Sequence, residues 1–128
     1  MFERGNPNSG HYYQGFTLAV PEKNKAAYIA MAVQGWAMLE NGGALGLVEC
    51  WGEDVPRGKK TDFYRATKAE HDEIPVFAWI AWPDRATCDV AAKAMQEGDH
   101  SEMPEMPFDG MRMMWGGFEP IFDSGAAQ

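Results

Sequence analysis

The stretch that decides the fold is Val76-Phe77-Ala78-Trp79-Ile80-Ala81-Trp82, which directly follows Pro75. Side chains of a strand alternate between its two faces, and here the residues on both faces are apolar. A strand of this kind is normally covered on both sides, because exposed faces would leave its apolar side chains in water. The sequence therefore predicts a central strand here.

Three further strands and two helices flank this strand. Aromatic and β-branched residues, or apolar residues at alternate positions, predict strands at Tyr12–Val20, Ala44–Glu53 and Met111–Phe118. The last of these strands is expected to contain a bulge at Gly116-Gly117. Apolar residues at helical spacing predict helices at Glu22–Asn41 and Asp84–Gly98. This order predicts an α+β, ferredoxin-like βαββαβ fold, in which a four-stranded antiparallel sheet carries two helices on one face.

The ends of the chain and one internal segment show no periodicity. Residues 1–11 are rich in Gly, Asn and Pro and are predicted to be a flexible leader. Residues 12–122 are expected to form a single domain, and residues 123–128 a flexible tail. Asp54–Glu73 has the features of a long connection, partly ordered by Phe63-Tyr64, and long connections often carry function.

The predicted helices cover only one face of the sheet, although the central strand is apolar on both. An apolar sheet face of that size usually marks an association surface. We therefore expect a homodimer in which two sheets pack face to face across a two-fold axis, as a dimeric α/β barrel.

Composition excludes several classes of partner. The 128 residues carry a formal net charge of −8, which would repel a nucleic-acid backbone. The longest apolar run falls far short of the roughly 18 residues that a membrane helix needs. No signal peptide is apparent. We therefore expect a cytoplasmic protein with neither nucleic acid nor membrane as a partner.

Glu49 is the most informative single residue, because it lies between Leu47 and Trp51 on one face of a predicted buried strand. A buried carboxylate either pairs with a cation or has a raised pKa, as a general acid or base does. Arg112 is the plausible cation. The alternative is an exposed position or a purely structural ion pair.

The remaining candidate residues lie in loops and on strands. Asp62 is a second candidate acid or base, His71 a candidate proton shuttle, and the other candidate ligand contacts are Trp51, Lys68, Trp79, Asp109 and Arg112. The charged loop residues also fit a solvated surface, and the tryptophans also fit a core. No metal-binding or cofactor-binding spacing occurs, so neither a metal nor a cofactor is expected.

Short segments spread from Gly15 to Glu119 resemble one known family. They include Val48-Glu49-Cys50-Trp51-Gly52, Thr61-Asp62-Phe63, Trp82-Pro83, Pro107-Phe108-Asp109-Gly110 and Gly116-Gly117-Phe118. In these the chain is similar to the YbaA-like bacterial family, a domain of unknown function. The resemblance implies a ferredoxin-like dimeric α/β barrel and no established activity.

Two functions follow as hypotheses. In the first, the protein binds or transforms a small molecule in a pocket between sheet and helices, with Glu49 or Asp62 as acid or base. Lys68 and Arg112 would orient an anionic or carbonyl group there, and Trp51 and Trp79 would form the walls. In the second, the protein is a non-catalytic dimeric interaction protein, whose polar motifs are turns and helix caps.

Overall fold

The computed structural model describes residues 2–5, 11–97 and 106–124. The strands are β1 (Phe2–Gly5), β2 (Tyr12–Pro21), β3 (Gly46–Trp51), β4 (Glu73–Trp82) and β5 (Met114–Phe118). The helices are α1 (Lys25–Asn41), α2 (Phe63–Thr67) and α3 (Arg85–Glu97), with single 3-10 turns at Glu22–Asn24 and Gly110–Arg112.

The strands form one five-stranded sheet in the order β1-β3-β4-β2-β5. Every neighbouring pair in it is antiparallel. The apolar stretch that follows Pro75 lies in β4 at the centre of this sheet. An α+β fold with an antiparallel sheet is thereby confirmed.

Helices α1 and α3 cover one face of the sheet, called the helix-covered face below. Its main core joins Trp36 of α1 and Cys88 of α3 to Leu47, Ile80 and Trp82 of the central strands. A second cluster joins Tyr28 of α1 to other apolar strand residues, namely Leu18, Val20 and Val76. Alternation along the strands explains why these residues share one face.

The opposite face of the sheet, called the open face below, carries the alternate strand residues. Phe77 is 48% exposed there and Phe118 is 59% exposed. The ring of Phe63 in α2 contacts Phe77 edge to face at 6.4 Å, so this end of α2 lies over part of the open face. Part of the open face thus remains apolar and in contact with water.

The structure corrects three predictions of secondary structure. Residues 2–5, expected in a flexible leader, form the edge strand β1 on β3. The register of β5 on β2 is continuous through Gly116 and Gly117, so the predicted bulge is wrong. The connection Asp54–Glu73 is partly ordered from Phe63 onward, as predicted, by α2, but it ends earlier than predicted, because β4 already begins at Glu73. Residues 6–10, the loop at 99–105 and residues 125–128 of the predicted tail lie outside the described residues.

Helix α1 ends in a motif that requires glycine. The amide of Gly43 donates to the Glu40 carbonyl and that of Ala44 to the Leu39 carbonyl. Gly43 has a φ of 104°, and a Cβ added there would lie 2.6 Å from Cγ2 of Thr87. We expect Gly43→Ala to lower the free energy of unfolding by about 2 kcal/mol, as measured by urea denaturation.

Gly35→Ala is the matched control for that substitution. Gly35 lies within α1 and a Cβ added there would meet no atom within 4 Å. Alanine at an open helical site should raise stability by roughly 0.5 to 1 kcal/mol. Equal effects at the two glycines would contradict this account of the helix end.

Candidate functional site

Glu49 lies in the middle of β3 with its carboxyl group turned toward α1. Glu49 is only 8% exposed, and the hydroxyl of Tyr28 donates a 2.7 Å hydrogen bond to Oε1 of Glu49. Tyr28 is itself buried in the second apolar cluster. Among residues 11–97 and 106–124, no lysine or arginine lies within salt-bridge distance of this carboxyl. Glu49 is therefore a buried acid whose described polar partner is a phenol.

The environment of Glu49 changes its acidity. Burial raises its pKa from 4.5 to about 7, because a charged carboxylate loses hydration there, while the hydrogen bond from Tyr28 opposes that rise. Burial and the neighbouring carboxyl raise the pKa of Tyr28, so the phenol keeps its proton. Glu49 thus changes protonation state near neutral pH beside a fixed hydrogen-bond donor.

A cavity of about 20 Å³ adjoins Glu49. Lys25, Tyr28 and Trp51 line it, and the Lys25 ammonium lies 5.3 Å from the centre of the Trp51 ring. A cavity needs roughly 10 to 15 Å³ to hold a water molecule, so this one has room for a single small group. The lining combines a cation, an aromatic ring and a titratable carboxyl.

A larger groove of about 210 Å³ lies where β3 extends beyond the end of β1. Its lining shares Cys50, Trp51 and Val76 with the cavity at Glu49. The other lining residues include two aromatic and two acidic side chains, and they are Gly52, Glu53, Asp54, Val55, Phe63, Pro75 and Phe77. Trp51 therefore contributes to both spaces.

Tyr28→Phe tests the hydrogen bond within this site. Loss of the phenol hydroxyl should raise the pKa of Glu49 above about 7, by roughly one pH unit or more, because hydrogen bonds stabilise the charged form. Infrared titration of the protonated carboxyl band would measure the change. Tyr64→Phe is the control, since the Tyr64 hydroxyl donates to the Val55 carbonyl at 2.9 Å. An unchanged titration in Tyr28→Phe would contradict the assignment.

Arg112 does not pair with Glu49. Its Nη1 and Nη2 donate to the two carboxyl oxygens of Glu73 at 2.6 and 2.8 Å, and its Nε donates to Asp109 at 3.0 Å. Strands β2 and β4 lie between β5 and β3, a separation of roughly 14 Å at the usual strand spacing. The predicted pairing of Arg112 with Glu49 is therefore wrong, and Arg112 instead fixes the segment before β5 to the start of β4.

Several predicted site residues take part in turns and caps. Asp62 caps α2 by accepting hydrogen bonds from the amides of Arg65 and Gly58, and these interactions lower its pKa, led by the Arg65 amide. Asp109 accepts the Met111 amide at 3.0 Å. Lys68 is exposed, directly follows the last residue of α2 and has a φ of 53°. None of them lines the cavity at Glu49.

The two tryptophans predicted as walls of one pocket lie on opposite faces of the sheet. Trp51 pairs with Val76 on the helix-covered face, whereas Trp79 pairs with Val48 and points to the open face. Trp79 packs against Phe77 at 5.9 Å. His71 is exposed in the turn before β4. Of the predicted site residues, only Glu49 and Trp51 line the cavity.

Sequence reasoning missed two neighbours of Glu49 and the carboxylate that pairs with Arg112. Tyr28 is one of the residues at helical spacing that predict the first helix, and its hydroxyl is the signal that it could reach a buried acid. Lys25 lies one helical turn before Tyr28 on the same side, as residues three apart do. Glu73, which is 6% exposed, was placed in the connection before β4, where the charge pattern gave no reason to single it out.

The residues that the structure describes limit two other classes of site. Within them, no cluster of three or more His, Cys, Asp or Glu side chains could hold a metal ion. None of their helices is both long and apolar enough to cross a bilayer.

Comparison with known proteins gives a family. Residues 11–110 match the family described as a protein of unknown function, DUF1428. The uncharacterised protein YbaA of Escherichia coli strain K12 is 48% identical over 114 residues, covering 88% of this chain and 97% of that protein. YbaA of Shigella flexneri matches to the same extent. The predicted YbaA-like membership is confirmed, and the chain belongs to the DUF1428 family of proteins of unknown function.

Proposed function

We propose that this protein binds a small molecule in the groove beside Trp51 and that Glu49 exchanges a proton with it. The single observation that carries this proposal is a buried carboxyl held at 2.7 Å by a phenol and adjoining a cavity. A structural acid in a sheet is normally satisfied by a cation or by several donors. Glu49 has no lysine or arginine from residues 11–97 and 106–124 within salt-bridge distance. Its pKa of about 7 suits a general acid or base at neutral pH.

The Tyr28 hydroxyl supports proton transfer by holding one oxygen of the carboxyl. Its donated hydrogen bond stabilises the charged form of Glu49, and the second oxygen is left to accept or release the proton. The cavity beside it admits one water-sized group. Glu49 lines this cavity and not the groove, and the two spaces share Cys50, Trp51 and Val76. A proton would therefore pass between Glu49 and a molecule in the groove through water in the cavity.

The size and charge of the groove define the class of molecule. Its volume of about 210 Å³ equals that of roughly seven water molecules and lies below the range of drug-sized pockets. Glu53 and Asp54 in its lining disfavour an anion, whereas the rings of Phe63 and Phe77 favour an aromatic or cationic group. We expect a small neutral or cationic molecule with an apolar part, in place of the anion expected from Lys68 and Arg112.

Three probes of matched size test this function, namely benzylamine, benzyl alcohol and benzoate. Binding is followed through the indole N–H signal of Trp51 in nitrogen-15 NMR, over the pH range around 7. Benzylamine should bind more tightly as pH rises through the pKa of Glu49, which is about 7, because the carboxylate becomes charged. Benzoate should bind most weakly at every pH.

Glu49→Gln is the matched variant, since glutamine keeps the shape and the acceptor for Tyr28. It should bind benzyl alcohol as the wild type does and lose the pH dependence of benzylamine binding. Failure of all three probes to shift the Trp51 signal would contradict the proposed site. Identical pH dependence in the wild type and in Glu49→Gln would contradict the role of Glu49.

A second candidate function is that of a dimeric interaction protein, and the open face favours it. The order β3-β4-β2-β5, with α1 and α3 on one face, supports a ferredoxin-like arrangement to which β1 adds an edge strand. Phe77 and Phe118 are half exposed on the other face, and such a face is covered by packing it against its copy. This homodimer would be a dimeric α/β barrel.

Sedimentation velocity over a dilution series tests that dimer. The double variant F77S/F118S should raise the dimer dissociation constant by at least about tenfold. The control M38S/V90S removes two apolar side chains on the helices, of which Met38 is 61% exposed and Val90 is 70% exposed. It should leave the dimer dissociation constant unchanged. A monomeric wild type at all concentrations would contradict the dimer.

A further inference from the structure

The segment that follows β5 carries two large apolar side chains that are exposed to solvent. Residues 119–124, called the C-terminal arm below, form neither helix nor strand. Ile121 is 98% exposed and Phe122 is 85% exposed. Large apolar side chains in adjacent positions rarely remain this exposed in a protein that acts as a monomer.

We propose that the C-terminal arm of one copy packs Ile121 and Phe122 onto the open face of a second copy. This inference rests on the proposed dimer and adds to it an element that crosses between the copies. The arm would cover the part of the partner's open face that α2 leaves exposed.

The position of the Phe118 ring next to the arm supports this occupant. A Cβ added at Gly15 would lie 3.3 Å from Cε2 of Phe118, so the Phe118 ring extends over the open face where β2 has no side chain. Phe118 is the last residue of β5, and the arm follows it directly. Two residues in sequence therefore separate the apolar open face from the apolar pair of the arm.

The arm is also long enough to reach a second copy. Face-to-face sheets lie roughly 10 Å apart. A segment of six residues spans up to about 20 Å when extended. Residues 121 and 122, at the middle of the arm, can therefore contact a facing sheet without any change in β5.

The exposed area is large compared with what a stable dimer buries. From their exposed fractions, Phe118 and Phe122 together present on the order of 300 Å² of surface. A standard interface buries roughly 800 Å² per partner, so these two residues and Ile121 supply a substantial part of it. On the partner's open face Phe77, which α2 leaves 48% exposed, offers an apolar surface to receive them.

Dilution series by sedimentation velocity of the full chain test the arm separately from the sheet face. I121S/F122S should raise the dimer dissociation constant by about tenfold or more, because two apolar side chains would no longer be buried. M38S/V90S is again the control with unchanged association. An unchanged constant in I121S/F122S would overturn the arm and leave the dimer standing, whereas a monomeric wild type would overturn both.

A second measurement locates the arm directly. Mixed dimers of one carbon-13-labelled and one unlabelled copy should give intermolecular nuclear Overhauser contacts from the Ile121 methyl groups to aromatic protons. F77S in the unlabelled copy should remove a subset of these contacts. Contacts found only within one copy would overturn the proposal.

Discussion

Arg112→Met should lower the free energy of unfolding by about 3 kcal/mol, because it leaves a buried carboxylate without its cation. Arg112 makes a two-point contact with Glu73, which is 6% exposed. Its Nη1 also donates to the Lys68 carbonyl at 2.7 Å. The substitution thus releases the connection between α2 and β4 as well as the segment before β5. Urea denaturation at neutral pH measures the loss.

The acid dependence of this loss adds a second test. The hydrogen bond from Arg112 is the largest cause that lowers the pKa of Glu73 below its usual 4.5. A lowered pKa contributes stability above the unfolded value, and that contribution is lost as pH falls toward the folded value. The gap between wild type and Arg112→Met should therefore narrow in acid.

Arg85→Met is the control for Arg112→Met. Arg85 pairs with Asp89 at 3.5 Å, but both side chains are exposed. Pairs of this kind contribute roughly 0 to 1 kcal/mol. Equal losses in the two variants would contradict a structural role for the Arg112 network.

As pH rises from about 5 to about 8, the free energy of unfolding of Glu49→Gln should increase by about 2 to 3 kcal/mol relative to that of the wild type. The pKa of Glu49 is raised from 4.5 to about 7, so within this window the folded protein holds a proton that the unfolded chain has lost. Because the unfolded state binds fewer protons, the stability of the wild type falls as pH rises. Glutamine has no proton to lose, and it still accepts the Tyr28 hydrogen bond.

Chemical denaturation of both proteins at several pH values measures this difference. Subtracting the free energy of unfolding of the wild type from that of Glu49→Gln at each pH removes the contribution of other titrating groups, since only residue 49 differs. Curves that stay parallel from acid to neutral pH would mean that Glu49 has an ordinary pKa, contrary to its buried position.

The sheet could be predicted largely because alternation along a strand is a local property of the sequence. The apolar stretch at Val76–Trp82 lies in the central strand, and Glu49 lies on the buried face, as its position between Leu47 and Trp51 indicates. Strand β1 was missed because four residues are too few to show a period. Its pairing depends on backbone groups at the edge of β3, which the local sequence does not encode.

The candidate site was predicted only in part, because its contacts join residues distant in sequence. A chain of alternating residues shows which face Glu49 occupies, but it does not show which helix residue lies above it. Tyr28 therefore remained an apolar residue of α1 until the packing was known. Glu49 on β3 and Glu73 on β4 are both acidic residues with which Arg112 could pair. Because β4 lies nearer to β5 than β3 does, Arg112 pairs with Glu73.

The most direct test of the account is a carbon-13 NMR titration of the Glu49 carboxyl in the wild-type protein, with Glu49→Gln used to assign the signal. We expect a midpoint near pH 7, as burial raises the pKa of this group to about 7. The same titration should shift in the presence of benzylamine. A midpoint near its ordinary value of 4.5, unaffected by benzylamine, would contradict Glu49 as the proton-exchanging group of a binding site.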